Sequence, residues 1–160
     1  MRTRTLAAAL LLTVAAAAAS AQPAPLDPCA LVTQAEVKAA LGMDVGALKI
    51  NTTMGAAAGT LCDFQVGDIG GGGILLRTLS VVDTPQKIRA ESEKAKIATS
   101  DATGFGSGAF YAVGSYGVIQ LNAFKGSTQV MVQLMLMAKP PDQVRAALAK
   151  LMTAVLPKVK

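Results

Sequence analysis

The chain has 160 residues, two cysteines, no histidine, no tryptophan and a formal net charge of +5. The missing histidine excludes Ser-His and Cys-His catalysis, the commonest zinc and copper ligand, and imidazole pH switching. The length is that of one domain able to bury its own core.

The chain opens on Arg2 and Arg4, then an apolar run from Leu6 to Ala19, then Ser20, Ala21 and Gln22. The run is short for a bilayer span, which needs about 20 apolar residues. With its basic start and the A-x-A site at Ala19-Ser20-Ala21, it reads as a secretory signal over residues 1–21, cleaved before Gln22. Arg2 and Arg4 are not adjacent, so the signal is not a twin-arginine one. Cys29 follows Pro28, too far past the apolar run to be a lipobox cysteine. The expected product is periplasmic or secreted, with no stable membrane insertion. Removing residues 1–21 takes away two arginines and no acid, so the net charge falls to +3. The remaining charge is spread along the chain, which argues against nucleic acid as a partner.

Residues 22–28 carry three prolines and read as an extended lead-in to a single domain over 29–160. Thr33 and Glu36 form a T-x-x-E capping box that starts a short helix, with Val37 and Leu41 on one face and Gly42 as its stop. Val45 to Ile50 reads as a strand. Leu61 to Val66 alternates, which marks a half-buried strand carrying Cys62 inward. Gly67 to Gly73 reads as a hairpin tip and Ile74 to Val82 as the next strand. Pro85 to Ala98 is rich in helix formers, with Asp83 or Thr84 as its N-cap. Ser100 to Gly108 reads as a loop. Strands are expected at Ala109–Val113, Tyr116–Lys125 and Thr128–Ala138, joined by turns at Gly114-Ser115 and Gly126-Ser127. A last helix runs from Pro141 to Leu156, with Val144, Leu148, Leu151, Met152 and Val155 on one stripe. The order α-βββ-α-βββ-α predicts an α+β fold: an antiparallel sheet of about five to six strands with helices packed on one face. Ile74–Ala90 aligns without gaps on Val130–Ala146, as two strand-proline-helix units.

Two cysteines in an oxidising compartment predict a disulfide between Cys29 and Cys62. Asp63 and Asp68 are the nearest thing to a carboxylate pair, and both read as solvated. Gly70–Gly73 and Gly104-Phe105-Gly106-Ser107-Gly108 suggest nucleotide loops, but neither joins a strand to a helix and neither has a P-loop lysine. On the last strand Met131, Met135 and Met137 share a face with Gln133, opposite Val130, Val132, Leu134 and Leu136. That pattern marks a central strand covered on both sides. The methionines read as core, as an adaptable groove, or as a soft Cu(I) site. Phe105, Phe110, Tyr111, Tyr116 and Phe124 cluster in the second half and read as packing residues.

The segment Asp27-Pro28-Cys29-Ala30-Leu31-Val32-Thr33, with Glu36-Val37, Leu41-Gly42 and the later Leu61-Cys62-Asp63-Phe64, resembles a domain-of-unknown-function family. Its members are bacterial exported proteins and lipoproteins that open with D-P-C-x-L-[LV]-T-x-x-E. The resemblance implies a Cys29–Cys62 disulfide and a small α+β envelope domain without assigned catalytic residues. Many members are lipid-anchored, whereas this chain lacks the lipobox cysteine. The expected role is therefore a non-enzymatic binding or accessory domain without a cofactor. It would take a small apolar ligand, a peptide or an envelope partner. The alternatives are an assembly accessory with no ligand site and methionine-based Cu(I) handling.

Overall fold

The structure, a computed structural model, describes residues 27–51, 59–68, 70–136 and 139–160. The signal reading of residues 1–21, most of the lead-in and Met137 lie outside the described residues.

The chain begins with a 3-10 turn, Pro28–Leu31, opened by the Asp27 carboxylate, which accepts from the Cys29 and Ala30 amides. Helix α1 follows at Gln34–Leu41. Its capping box is complete: the Glu36 amide donates to Thr33 Oγ1 at 3.2 Å, and the Thr33 amide donates to Glu36 Oε2 at 2.7 Å. Gly42, left-handed at φ 64°, closes it. Lys158 holds the other Glu36 oxygen at 2.9 Å. The Lys158 ammonium, then the Thr33 amide, keep the Glu36 carboxyl below its ordinary range. A depressed carboxyl contributes stability above its unfolded pKa, and that contribution is lost as pH falls through the folded pKa. Glu36→Gln should therefore lower the melting temperature at neutral pH, and the gap to the parent should close as pH falls below about 4. Melting curves of both proteins across pH check this. A gap that stays constant into acid would disprove it.

The strands are β1 Lys49–Asn51, β2 Thr60–Val66, β3 Gly70–Thr78, β4 Ala98–Asp101, β5 Phe110–Val113, β6 Val118–Lys125 and β7 Thr128–Met135. They form one antiparallel sheet in the order β1-β2-β3-β7-β6-β5-β4, with β7 in the middle. Helix α2, Pro85–Lys94, lies between β3 and β4, and helix α3, Pro141–Val155, follows β7. The fold is α+β, but among the described residues its sheet has seven strands, not five or six.

The extra strand is β4, which lies where the sequence reads as helix and loop. Helix α2 stops early because Lys96 turns left-handed at φ 60°, and Ala98–Asp101 then pairs with Phe110–Val113. Arg89 pins this edge strand to the helix, donating to Thr99 Oγ1 at 3.0 Å and to Asp101. The first strand is shorter than its sequence suggests: Val45 makes only an isolated bridge to Val66. At the β5–β6 hairpin the positive-φ residues are Tyr116 and Gly117, not Gly114-Ser115.

The helices occupy both faces, which corrects the one-face expectation. On one face, the α3 stripe of Val144, Leu148, Leu151, Met152 and Val155 is buried against Val130, Val132, Leu134, Leu121 and Ile74, with Val37 of α1. On the other, Ile88 of α2 packs on Phe110 and Ala112. Strand alternation sends Phe110 and Ala112 away from α3 while Tyr111 and Val113 join the main core. The two strand-proline-helix units identified in the sequence thus place their strands side by side and their helices on opposite faces.

A disulfide joins Cys29 to Cys62, with an S–S distance of 2.03 Å. It ties the first turn to β2, where Cys62 is fully buried. No helix among the described residues is long and apolar enough to cross a membrane.

Candidate binding cleft and open sheet face

Helix α3 runs back along the sheet and ends over β6, beside the loop between β4 and β5. There a cleft of about 400 Å³ opens between Gly104-Phe105-Gly106, Phe124, Met152 and Leu156, with Lys125, Thr153 and Pro157 at its rim. Its walls follow from local sequence. Gly104 and Gly106 sit at φ 89° and 91°, a region that glycine enters without cost. Gly104 has no neighbour within 4 Å of where a Cβ would be, so this wall is bare. Phe105, between them, packs against the main core. The G-x-G-x-G motif is therefore a turn that shapes an apolar wall, in keeping with its lack of a following helix.

The rim carries one charge, and that charge is held. Lys125 Nζ donates to the carbonyls of Leu156, Pro157 and Val159. These carbonyls lie just past the end of α3, where helix geometry leaves acceptors without partners and a negative dipole end. An ammonium with its three hydrogens so placed caps the helix. The cleft is thus apolar inside and has no free charged group directed into it.

A second concavity lies on the sheet face away from α3. Helix α2 covers only the β4–β5 side of that face. Leu75 and Gln129 are buried on this face, but towards the other end of β3 and β7 the surface is half-buried, and a trough of about 280 Å³ runs between Asp63, Gly71, Val118, Gln133 and Met135. Its floor depends on the glycine run, which the sequence reading placed in a hairpin tip. Gly70–Gly73 is instead the first half of β3, paired with Asp63 to Val66 on one side and, over Gly71–Gly73, with Gln133 to Met135 on the other.

Met131 and Met135 lie on this open face, facing Leu75 and Asn122, and Gly71 and Val118, respectively. Both are half-buried, whereas Val130, Val132 and Leu134 on the other face are fully buried. The middle strand is therefore covered completely on one side only. Met131 and Met135 stand four residues apart, roughly 13 Å along a strand, with side chains perpendicular to the sheet. Their thioethers do not converge on a shared ion. Met137 falls outside the described residues. Asp63 accepts from Asn51 Nδ2 at the trough's edge, while Asp68 is exposed in the turn after β2. The two carboxylates are not brought together as a catalytic pair. Among the described residues, no three His, Cys, Asp or Glu side chains group as a metal site.

The aromatic residues divide between packing and surface. Phe110 and Phe124 stack at 6.4 Å. Arg145 sits 5.4 Å over the Tyr111 ring, and Tyr116 is exposed at its hairpin tip. Burial pushes the Tyr111 hydroxyl upward, against the opposing effect of Arg145. The sequence reading placed Met152 on a core stripe and did not single out Lys125, Thr153, Leu156 or Pro157 as cleft residues.

Compared with known proteins, the chain matches no described family and no curated protein. Among solved structures it is similar to the extracellular domain of PknH from Mycobacterium tuberculosis, with a TM-score of 0.41 and 14% identity. The alignment covers 84% of this chain and 98% of that one.

Proposed function

We propose that this chain is an exported, non-enzymatic binding domain, and that it binds a small apolar ligand in the cleft at the end of α3. The observation that carries the reading is that cleft. At about 400 Å³ it falls within the usual range of ligand sites, about 300–1,000 Å³, and its lining is apolar. The absence of histidine from the sequence, and of a carboxylate pair among the described residues, favours binding over catalysis. Export is supported by the signal-like residues 1–21 and by the disulfide, a bond that persists in oxidising compartments. It is also supported by the resemblance to exported proteins that open on D-P-C.

Thr153 provides the test. It is exposed at the cleft rim, on the last turns of α3. Thr153→Trp would fill the opening while leaving the buried stripe intact. An uncharged apolar dye such as Nile red should bind the parent chain from Gln22 with enhanced fluorescence. Thr153→Trp should weaken that binding roughly tenfold, the value of one or two buried methylenes' worth of lost contact. Equal binding by the two proteins would remove the cleft as the site.

A second reading has its own observation. The trough over Gly71, flanked by Met135 and Val118, offers a flexible apolar surface to an envelope partner. Gly71→Leu would fill that trough and leave dye binding in the cleft untouched, so the two readings separate.

A further inference from the structure

The turn between β3 and α2 carries two adjacent exposed valines. Val81 is fully exposed and Val82 is 64% exposed. The turn is closed by its own polar atoms. The Ser80 hydroxyl donates to Asp83 Oδ2 at 2.7 Å, the Ser80 amide to the same oxygen at 3.2 Å, and the Asp83 amide to the Ser80 carbonyl at 3.0 Å. The Ser80 hydroxyl, then its amide, draw the Asp83 carboxyl below its usual range, with Lys87 and Arg77 adding to the effect. So closed, the turn holds the valines outward instead of folding them back on the sheet.

The fold gathers cations around this turn that the sequence spreads over more than eighty positions. Arg77 and Lys87 flank Asp83. The Leu79 amide bonds the Ser127 carbonyl, which brings in the β6–β7 turn and Lys125 beside it. Lys125 in turn holds the Val159 carbonyl, which brings in Lys158 and Lys160. Asp83 and Glu36, the acids tied to this cluster, are already paired with Lys87 and Lys158. These successive contacts link the valine turn to five basic residues and two acids, a net positive charge.

We propose that this end docks on an anionic lipid surface, with Val81 and Val82 entering the headgroup layer and the net positive charge behind them attracting the lipid phosphates. A small apolar wedge backed by net positive charge fits an anionic interface, where the surface potential attracts the basic end and the apolar side chains enter the headgroup layer. Two valines on one turn are far less than the roughly 800 Å² per partner that a stable protein interface buries, which favours lipid over a protein partner. The docking does not depend on what fills the cleft.

The test is flotation of the chain from Gln22, which contains every described residue, with vesicles of phosphatidylcholine alone or mixed equally with phosphatidylglycerol. The protein should float with the mixed vesicles, remain behind with phosphatidylcholine, and dissociate in high salt as the charges are screened. Val81→Asp combined with Val82→Asp should lower the bound fraction roughly tenfold, with the melting temperature unchanged. Tyr116→Asn, at the opposite end of the sheet, should leave binding intact. Any of four results would overturn the proposal. These are no binding to mixed vesicles, equal binding to both kinds, binding that survives the double valine change, and capture of an envelope protein through the valines without vesicle binding.

Discussion

Replacing both Cys29 and Cys62 with alanine should lower the unfolding free energy by about 3–4 kcal/mol. The bond closes a loop of 33 residues in sequence separation. In the chain-entropy account, a crosslink of that span removes about 12 cal/mol/K from the unfolded chain. Domains of this size have about 5–15 kcal/mol in all, so the loss would be a large share of the total. Position adds to the effect. Cys62 is fully buried in β2, and Cys29 belongs to the turn that lays Leu31 and Val32 on the main core. Urea unfolding of parent and double variant checks the value, with reductant added to the parent as a second route to the same state. Both routes should shift the midpoint by the same amount. A shift worth less than about 1 kcal/mol would mean that residual contacts already constrain the unfolded chain. A thiol titration of the denatured, unreduced parent should find no free thiol.

Much of the fold is written locally, and those parts are legible in the sequence. The capping box at Thr33 and Glu36, the glycine stop at Gly42 and the five-residue stripe of α3 are short-range signals that need no partner to be read. The cysteine pair is legible because there are only two. Strand β4 is different. Ala98-Thr-Ser-Asp has no apolar alternation, and it becomes a strand only because Phe110–Val113 offers it an edge and Arg89 ties it down. Local preference loses there to a long-range partner. The placement of α2 is hidden for a related reason. Ile88 fits either face of a sheet, and Phe110 and Ala112 choose one. The same holds for the candidate site. Alternation on β7 assigns Met131 and Met135 to one face, but how well that face is covered depends on where α2 comes to rest. The cleft is assembled from Gly104, Lys125 and Leu156, three segments whose meeting is set by the course of α3. The cationic end around Val81 is tertiary as well, since its lysines come from β6, α2 and the residues after α3.

At the glycine run, sequence alone does not distinguish a flexible tip from a strand with no room for side chains, and substitutions at Gly72 and Gly71 tell the two apart. Gly72 pairs directly with Phe64 across the β2–β3 ladder. A Cβ on Gly72 would lie 2.3 Å from Phe64 Cε2 and 2.7 Å from Leu134 Cδ2, and both of those side chains are buried in the main core. The aromatic ring lies over the glycine and shields its backbone, as in the aromatic rescue of strand glycines. Gly72→Val should therefore destabilise the fold by about 3 kcal/mol, the upper range for overpacking a filled core. Gly71 is its neighbour and its control. Its side-chain direction is the open face, where the nearest atom to a new Cβ is 4.0 Å away. Gly71→Ala should be neutral or should stabilise by up to about 1 kcal/mol, because glycine in a strand interior carries an entropic cost. Denaturant midpoints for the two variants measure the contrast. Shortening the ring should relieve the clash, so Phe64→Leu in the Gly72→Val background should cost less than Phe64→Leu alone, by about 1 kcal/mol or more of coupling. Equal effects at positions 71 and 72 would mean that the run is a slack segment after all. Unequal effects in the stated direction would show a strand whose bare residues are packed from one side and open on the other.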